Sequence, residues 1–238
     1  MARIDGRKND QLREVDIATG YLKFAEGSAL ITCGNTRVLC AASVEERTPP
    51  HVPEGEGWVT AEYSMLPRAN RERSKRDVSK LKLSPRSAEI QRLVGRSLRA
   101  CVDMKKLGER TITVDCDVIQ GDGGTRTASV TGGYVALALA CQKLMADGLL
   151  EEDPLVGQVA AVSAGIVDDQ PMLDLCYEED SSAQVDFNCV MTADGRLVEV
   201  QGTGEGRAFT LEEQRALLDL CAKGIRELQA LQNKALNR

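Results

Sequence analysis

One stretch of the chain joins a predicted strand to a predicted helix and reads Val118-Ile119-Gln120-Gly121-Asp122-Gly123-Gly124-Thr125-Arg126-Thr127-Ala128-Ser129. Its adjacent glycines let the backbone pass close to a ligand, because no Cβ stands in the way. The next three residues fall where the helix begins. Free backbone N–H groups and the positive end of the helix dipole favour an anion there. Arg126 adds a planar fork of donors that suits phosphate.

Two interpretations of this stretch stay open. A tight turn capped by threonine explains Gly-Gly-Thr as well as an anion site does. Arg126 favours the anion site, because an arginine in the first helical turn opposes the helix dipole unless an anion lies nearby. The pattern is not a P-loop, since no Gly-Lys-Ser/Thr follows at the required spacing.

The other predicted elements describe an α+β protein that forms a single domain over residues 1–238. In each half, strands precede a long helix, so we expect mixed β-sheets with packed helices from two βαβ-like halves. The signals are a two-residue turn at Gly34-Asn35, a helix start at Ser84-Pro85 and a capping box at Thr210 and Glu213. The predicted strands cover residues 15–22, 28–33, 36–44, 58–65, 111–119, 157–167, 171–177, 185–192 and 196–201. The predicted helices cover residues 84–103, 125–145 and 211–234.

Composition narrows the class of protein. The 238 residues are 42% hydrophobic, which is enough for a substantial core. No apolar run is long enough to span a membrane, and the first residues lack the apolar core of a signal peptide. The eight cysteines show no Cys-x-x-Cys spacing, which favours free thiols in a reducing cytoplasm over disulfides or zinc. A single histidine, His51, argues against histidine-based acid–base chemistry.

Charge predicts a local contact with nucleic acid rather than a general one. The net charge of −6 makes the whole molecule repel nucleic acid. A nearly apolar-free segment nevertheless concentrates positive charge at Arg68, Arg71, Arg73, Lys75 and Arg76. Such a run is often a solvated loop. In an acidic protein and near an anion site, it also suits a contact with RNA phosphates.

The predicted helix after Ser84 carries further arginines. Arg92, Arg96 and Arg99 cluster opposite its apolar stripe, where they could face solvent, a partner subunit or RNA. Arg86 instead lies on the side of the apolar stripe, in the first turn. A charge in that position either extends to solvent or points into a functional pocket.

Two pairs of carboxylates could carry chemistry. Asp115 and Asp117 project from one face of a predicted strand, where a polar sheet face or a subunit contact is the simpler interpretation. Asp180 and Asp186 flank a predicted hairpin centred on Ala183, which would place them about 5 Å apart at Cβ. Like charges so close are destabilising unless a cation lies between them, and Mg²⁺ accepts such a pair. An acidic hairpin tip without a metal is the alternative.

The ordered motifs of the chain resemble those of the ribonuclease PH family, the phosphorolytic 3′ exoribonucleases that trim tRNA precursors. The resemblance covers nearly the whole chain, and the sequence 115–127 carries it most clearly. Other matching motifs are Arg3-Ile4-Asp5-Gly6-Arg7, Gly57-Trp58-Val59-Thr60-Ala61-Glu62-Tyr63, Met65-Leu66-Pro67-Arg68, Glu89-Ile90-Gln91-Arg92-Leu93 and Val198-Glu199-Val200-Gln201-Gly202-Thr203.

The resemblance implies roles for particular residues. Asp180 and Asp186 correspond to the catalytic pair that binds Mg²⁺ or Mn²⁺, and inorganic phosphate would be bound by Arg86, Gly124, Thr125 and Arg126. It implies RNA binding by Arg68, Arg71, Arg73 and Arg76, to which we add Arg92, Arg96 and Arg99. It also implies a homohexameric ring, a trimer of dimers, that acts on tRNA precursors and other structured RNA 3′ ends. The chain departs from the family at Pro85-Arg86-Ser87, where Gly-Arg-Thr is usual, and at Ser79–Ser84.

Two rival functions remain to be separated from phosphorolysis. A catalytically silent, RNA-binding subunit of an exosome-like ring would typically lack the aspartate pair or the phosphate-binding arginines, and this chain has both. A small-molecule phosphotransferase would not need the basic segment from Arg68 to Arg76.

Overall fold

The computed structural model describes residues 3–76 and 83–237, in which helices and strands follow one another as expected for the α+β class. In the first part of the chain the elements are β1 (Val15–Thr19), β2 (Gly27–Cys33), β3 (Thr36–Glu45), β4 (Trp58–Met65), α1 (Pro85–Arg99), α2 (Met104–Leu107) and β5 (Thr111–Gln120). In the second part they are α3 (Thr125–Ala146), β6 (Val159–Val167), β7 (Gln170–Leu173), α4 (Tyr177–Asp180), β8 (Val185–Thr192), β9 (Leu197–Gly204) and α5 (Leu211–Ala235).

The described strands form two sheets. The first has the order β1-β2-β3-β5-β4. Its β4 and β5 run parallel, and the intervening chain crosses over through α1 in a βαβ arrangement. The second sheet has the order β7-β6-β8-β9 and is antiparallel throughout. The parallel crossover is therefore a feature of the first half, whereas the second half is built from antiparallel neighbours.

Local sequence signals place several element ends correctly. Ser84 caps α1 by accepting a hydrogen bond from the Ser87 amide, and Pro85 is the first helical residue. Thr210 and Glu213 form the predicted capping box of α5. Helix α1 ends at Arg99, earlier than predicted, because Asp103 caps the separate helix α2. The sequence departs from the family pattern at residues 79–84. Residues 79–82 of this segment lie outside the described residues.

The predicted strand at 171–177 is wrong in its second half. β7 ends at Leu173, and the next residue, Asp174, has a left-handed φ of 53° that breaks the strand. Tyr177–Asp180 then forms a short helix. The hairpin centred on Ala183 is wrong as well, because β7 and β8 both pair with β6 and not with each other.

Helix α3 is the element that both sheets share. It packs against β2 and β3 of the first sheet and against β6 of the second. Most of its residues are buried around the whole circumference of the helix, which explains its run of small and apolar side chains. Gly132 lies where a Cβ would be 2.7 Å from Ile31 Cγ2 and 3.0 Å from Cys40 Sγ.

Two adjacent glycines in α3 offer a test of this packing. We expect Gly132→Ala to lower the Tm, because the added methyl group would meet β2 and β3 at less than contact distance. Gly133→Ala is the matched control, since its Cβ would lie 3.5 Å or more from every neighbour. Alanine is also favoured over glycine in a helix by about 1 kcal/mol. Thermal unfolding of both variants checks this, and equal Tm changes would contradict the packing argument.

Candidate active site

The Gly-Gly-Thr-Arg turn forms the N-terminus of α3. Gly123 and Gly124 both adopt left-handed backbone angles, with φ of 75° and 65°, which glycine reaches without strain. Gly124 is the residue that caps the helix, so no threonine side chain does so. A Cβ on Gly123 would lie 2.4 Å from the Leu175 carbonyl oxygen. The turn therefore presents the first amides of α3, and its close approach to residue 175 requires glycine.

Arg126 is held at this turn by one side of its guanidinium group. Its Nη1 donates to Gln201 Oε1 at 2.9 Å and lies 3.4 Å from Glu89 Oε1. Gln201 in turn donates to Glu199 at 2.9 Å, and Glu199 is paired with Arg96. Within the described residues, every side-chain hydrogen bond of Arg126 leaves from Nη1. In that part of the chain, its Nε and Nη2 groups donate to no protein acceptor.

Arg86 belongs to the same cluster of charges. It is the second residue of α1 and is exposed. Burial raises the pKa values of Tyr63, Asp180 and Asp186, and the positive charge of Arg86 opposes that rise. That the Arg86 side chain points into a functional pocket, rather than to solvent, stays a prediction.

Asp180 and Asp186 are brought together by different elements from those predicted. Asp180 is the last residue of α4, and Asp186 lies on β8, opposite Gly165 and Thr203. Burial raises the pKa of Asp180, and the charge of Asp186 raises it further. Burial also raises the pKa of Asp186, against the opposing effect of Arg126. Neither carboxylate forms a salt bridge in the described part of the chain.

A buried ion network, which sequence analysis missed, connects these parts. Arg13 donates to both carboxylate oxygens of Asp174, at 2.7 and 3.1 Å, and to the backbone carbonyl of Asp122 in the turn before α3. Arg3 pairs with Glu179, the neighbour of Asp180, at 2.6 Å. The arginines lie 161 or more residues from their carboxylates, so no local pattern could have shown these pairs.

The predicted RNA-binding arginines differ in their surroundings. Arg68, Arg71, Arg73 and Arg76 are all exposed. Arg71 pairs with Glu178 of α4 at 2.6 Å and lies over the Tyr177 ring, so the basic segment contacts the helix that carries Asp180.

The arginines of α1 are less alike than their spacing suggests. Arg92 is exposed, whereas Arg96 is paired with Glu199. Arg99 is half-buried, lies 4.4 Å from the centre of the Trp58 ring and donates to the Val59 carbonyl at 2.9 Å. Arg96 and Arg99 therefore both make contacts within the chain, which are consistent with a structural role.

Asp115 and Asp117 lie elsewhere. They alternate with the buried Val114, Cys116 and Val118 on β5, and the Cys116 thiol reaches α3. The two aspartates therefore point to the face of the sheet opposite α3. Burial raises the pKa of each, and the charge of Glu62 on β4 adds to the effect. They share an acidic sheet face, as the simpler interpretation expects.

Comparisons with known proteins fit this architecture. Residues 11–142 match domain 1 of a 3′ exoribonuclease family model, and residues 157–224 match domain 2. Among solved structures, rice Rrp46 superposes with a TM-score of 0.80 at 18% identity, covering 98% of this chain and 100% of that one. An Archaeoglobus fulgidus exosome with RNA bound to the active site gives a TM-score of 0.79 at 25% identity, covering 96% and 91% of the two chains.

Sequence relatives narrow the class. A ribonuclease PH of Bacillus pumilus is 58% identical over 95% of this chain and 94% of its own length. A ribonuclease PH of Moorella thermoacetica is 57% identical over 99% of this chain and 95% of its own length. The chain belongs to the ribonuclease PH family, whose members are phosphorolytic 3′ exoribonucleases that process tRNA.

The repulsion between Asp180 and Asp186 should lower the Tm of the protein when both carboxylates are ionised. An aspartate whose pKa is raised by folding disfavours the native state once it ionises. We therefore expect Asp186→Asn to raise the Tm at pH 7 in metal-free buffer, by about 2 °C. The gain should shrink as the pH falls through the raised pKa of the native state and vanish below about 3.9, the unfolded value.

A control with the opposite sign is available on the surface. Arg196 and Thr192 lower the pKa of Asp194 to about 2, so its ionised form favours the folded state. Asp194→Asn should lower the Tm slightly at pH 7. Thermal unfolding between pH 3 and 8 checks both variants, and a fall in Tm for Asp186→Asn at pH 7 would contradict the repulsion.

Proposed function

We propose that this chain shortens tRNA precursors beyond their CCA end by phosphorolysis, with inorganic phosphate held at the N-terminus of α3. The observation that carries the proposal is that the N-terminus of α3 meets the elements of both carboxylates. Asp122 in the turn before α3 accepts from the amide of Tyr177, the first residue of the helix that ends at Asp180. Arg126 donates to Gln201 of β9, the strand that pairs with Asp186. Two arginines and a helix N-terminus suit a phosphate nucleophile. The two carboxylates beside them would repel the scissile phosphate of the RNA, so this part of the site needs a cation to offset their charge.

In the proposed reaction, an oxygen of inorganic phosphate attacks the phosphorus of the last phosphodiester. The bond from that phosphorus to the 3′ oxygen of the preceding nucleotide breaks, and a nucleoside diphosphate leaves. The phosphate is oriented by Arg86, Arg126, the Thr125 hydroxyl and the Gly124 amide. Asp186 helps to protonate the departing 3′ oxygen by relaying the proton that the attacking phosphate gives up, so the carboxylate itself stays ionised between turnovers. Since the bonds broken and formed are alike, nucleoside diphosphates should also extend RNA ends.

Mg²⁺ or Mn²⁺ fits the carboxylates of this cluster. Asp180 and Asp186 lack salt-bridge partners in the described residues, and their mutual repulsion would be relieved by a cation. Magnesium usually takes one or two carboxylates and completes its shell with water and phosphate oxygens. A bound metal would offset charge on the scissile phosphate. The described residues contain no cluster of three or more metal-ligating side chains.

The wider assembly is also a proposal. We infer a homohexamer, a trimer of dimers, in which the basic segments of neighbouring subunits bind the tRNA. The enzyme would also act on other structured RNA 3′ ends. The likeness to an archaeal exosome core, with a TM-score of 0.77 over 98% of this chain and 91% of that one, supports a ring.

The eight cysteines are all free, which supports a cytoplasmic setting. In the described residues, no helix is long and apolar enough to cross a membrane.

We further infer that residues 1–238 act as a single domain. The buried Gln232 of α5 supports this, because its Nε2 donates to Thr131 of α3 at 2.9 Å and to Val159 of β6 at 3.0 Å. The rival of a catalytically silent ring subunit is less well supported, since the chain has both the arginines and the aspartates that catalysis needs.

The nature of the nucleophile is the direct test. Purified protein, a 3′-extended tRNA, Mg²⁺ and phosphate should release nucleoside diphosphates and no monophosphates. Arg126→Lys keeps the charge but loses the bidentate fork. It should therefore raise the KM for phosphate about tenfold and the KM for RNA much less. Release of monophosphates in phosphate-free buffer would mean hydrolysis and overturn the proposal.

The basic segment should control the salt dependence of RNA binding. Removing one contact between an arginine and an RNA phosphate reduces the slope of log K against log salt by about 1. We expect the triple variant of Arg68, Arg73 and Arg76 to alanine to flatten the slope by about 3. The matched control replaces the exposed Arg47, Lys105 and Arg196 with alanine. Filter binding at several salt concentrations compares the two, and equal slopes would remove the segment from the RNA interface.

A further inference from the structure

Tyr63 is a buried side chain whose hydroxyl reaches the N-terminus of α3. It lies on β4, is 2% exposed, and pairs in parallel register with Cys116 of β5. Its hydroxyl oxygen is 2.8 Å from Thr125 Oγ1, across a buried contact. Thr125 is the first residue of α3 and is itself buried. A strand of the first sheet thus contacts the hydroxyl that the proposed function assigns to phosphate.

Either hydroxyl can donate in this hydrogen bond. A phosphate ion bound beside Thr125 decides between the two directions, because it needs the Thr125 hydrogen. The Tyr63 hydrogen is then directed to Thr125 Oγ1.

This polarity matters because phosphate offers mainly acceptors. If Thr125 donated to Tyr63 instead, its oxygen lone pairs would face the anion and repel it. A Tyr63 hydroxyl that donates to Thr125 leaves Thr125 as a donor. Hydrogen bonds to a charged group are stronger than those between neutral groups, so the correct polarity of a single hydroxyl has a measurable effect on affinity.

We propose that Tyr63 is a positioning residue of the phosphate site, which donates to Thr125 Oγ1 so that the Thr125 hydroxyl donates to inorganic phosphate. The inference rests on the proposed phosphorolytic function and extends it to a side chain that does not itself touch the phosphate.

The test is Tyr63→Phe, which removes the hydroxyl and keeps the ring in the core. Tyr134→Phe is the matched control, because Tyr134 is also 2% exposed and its hydroxyl donates to the Gly157 carbonyl, away from the cluster. We expect Tyr63→Phe to raise the KM for phosphate about tenfold and to leave the KM for RNA within about twofold. The rise in Tm that phosphate gives the wild-type protein should also shrink. Tyr134→Phe should change neither quantity.

A double-mutant cycle separates positioning from a purely structural role. Thr125→Val removes the hydroxyl that Tyr63 is proposed to orient. The effect of Tyr63→Phe on the KM for phosphate should then be much smaller in the Thr125→Val background than in the wild type.

The outcomes of these measurements are distinct. An unchanged KM for phosphate in Tyr63→Phe, or full additivity with Thr125→Val, would overturn the positioning role while leaving phosphorolysis intact. A wild-type protein that degrades RNA without phosphate would overturn the proposed function, and the role of Tyr63 with it.

Discussion

The buried ion pair between Arg13 and Asp174 is the interaction on which the arrangement of the site depends. The Arg13 guanidinium donates to both oxygens of the Asp174 carboxylate and also to the Asp122 carbonyl in the turn before α3. Breaking a buried pair by removing one partner leaves an uncompensated charge, which is strongly destabilising. One arginine from the N-terminal segment therefore fixes the turn before α3 relative to the end of β7 in the second sheet.

The same network explains why sequence analysis reached some elements and missed others. The Ser84-Pro85 helix start and the Thr210 capping box are local, since each capping side chain accepts from an amide three positions away. The Gly34 turn is local because it joins the paired residues Cys33 and Thr36. They could be predicted. The end of β7 could not, because Asp174 takes a left-handed conformation while bonding to Arg13, 161 residues away.

The candidate site shows the same division between local and distant signals. The turn before α3 is a local pattern, and the structure places its glycines and Arg126 as the residue types suggest. Tyr63 and Gln201 touch this turn from other strands. Both lie in motifs that resemble the family, but no local pattern assigned a role to either. Arg96 and Arg99 illustrate the converse, because their helical spacing resembles a basic surface whereas their contacts lie within the chain.

Asp180 and Asp186 are held together although their charges repel. Asp180 ends a short helix whose Glu179 is fixed by Arg3, and the Glu179 side chain also accepts from the Cys176 amide. Asp186 is fixed within a sheet by its pairing with β6 and β9. Neither carboxylate can move away without disturbing a buried ion pair or a strand. The stability of the arginine network thus sustains a local repulsion between two carboxylates. A cation is well placed to relieve that repulsion.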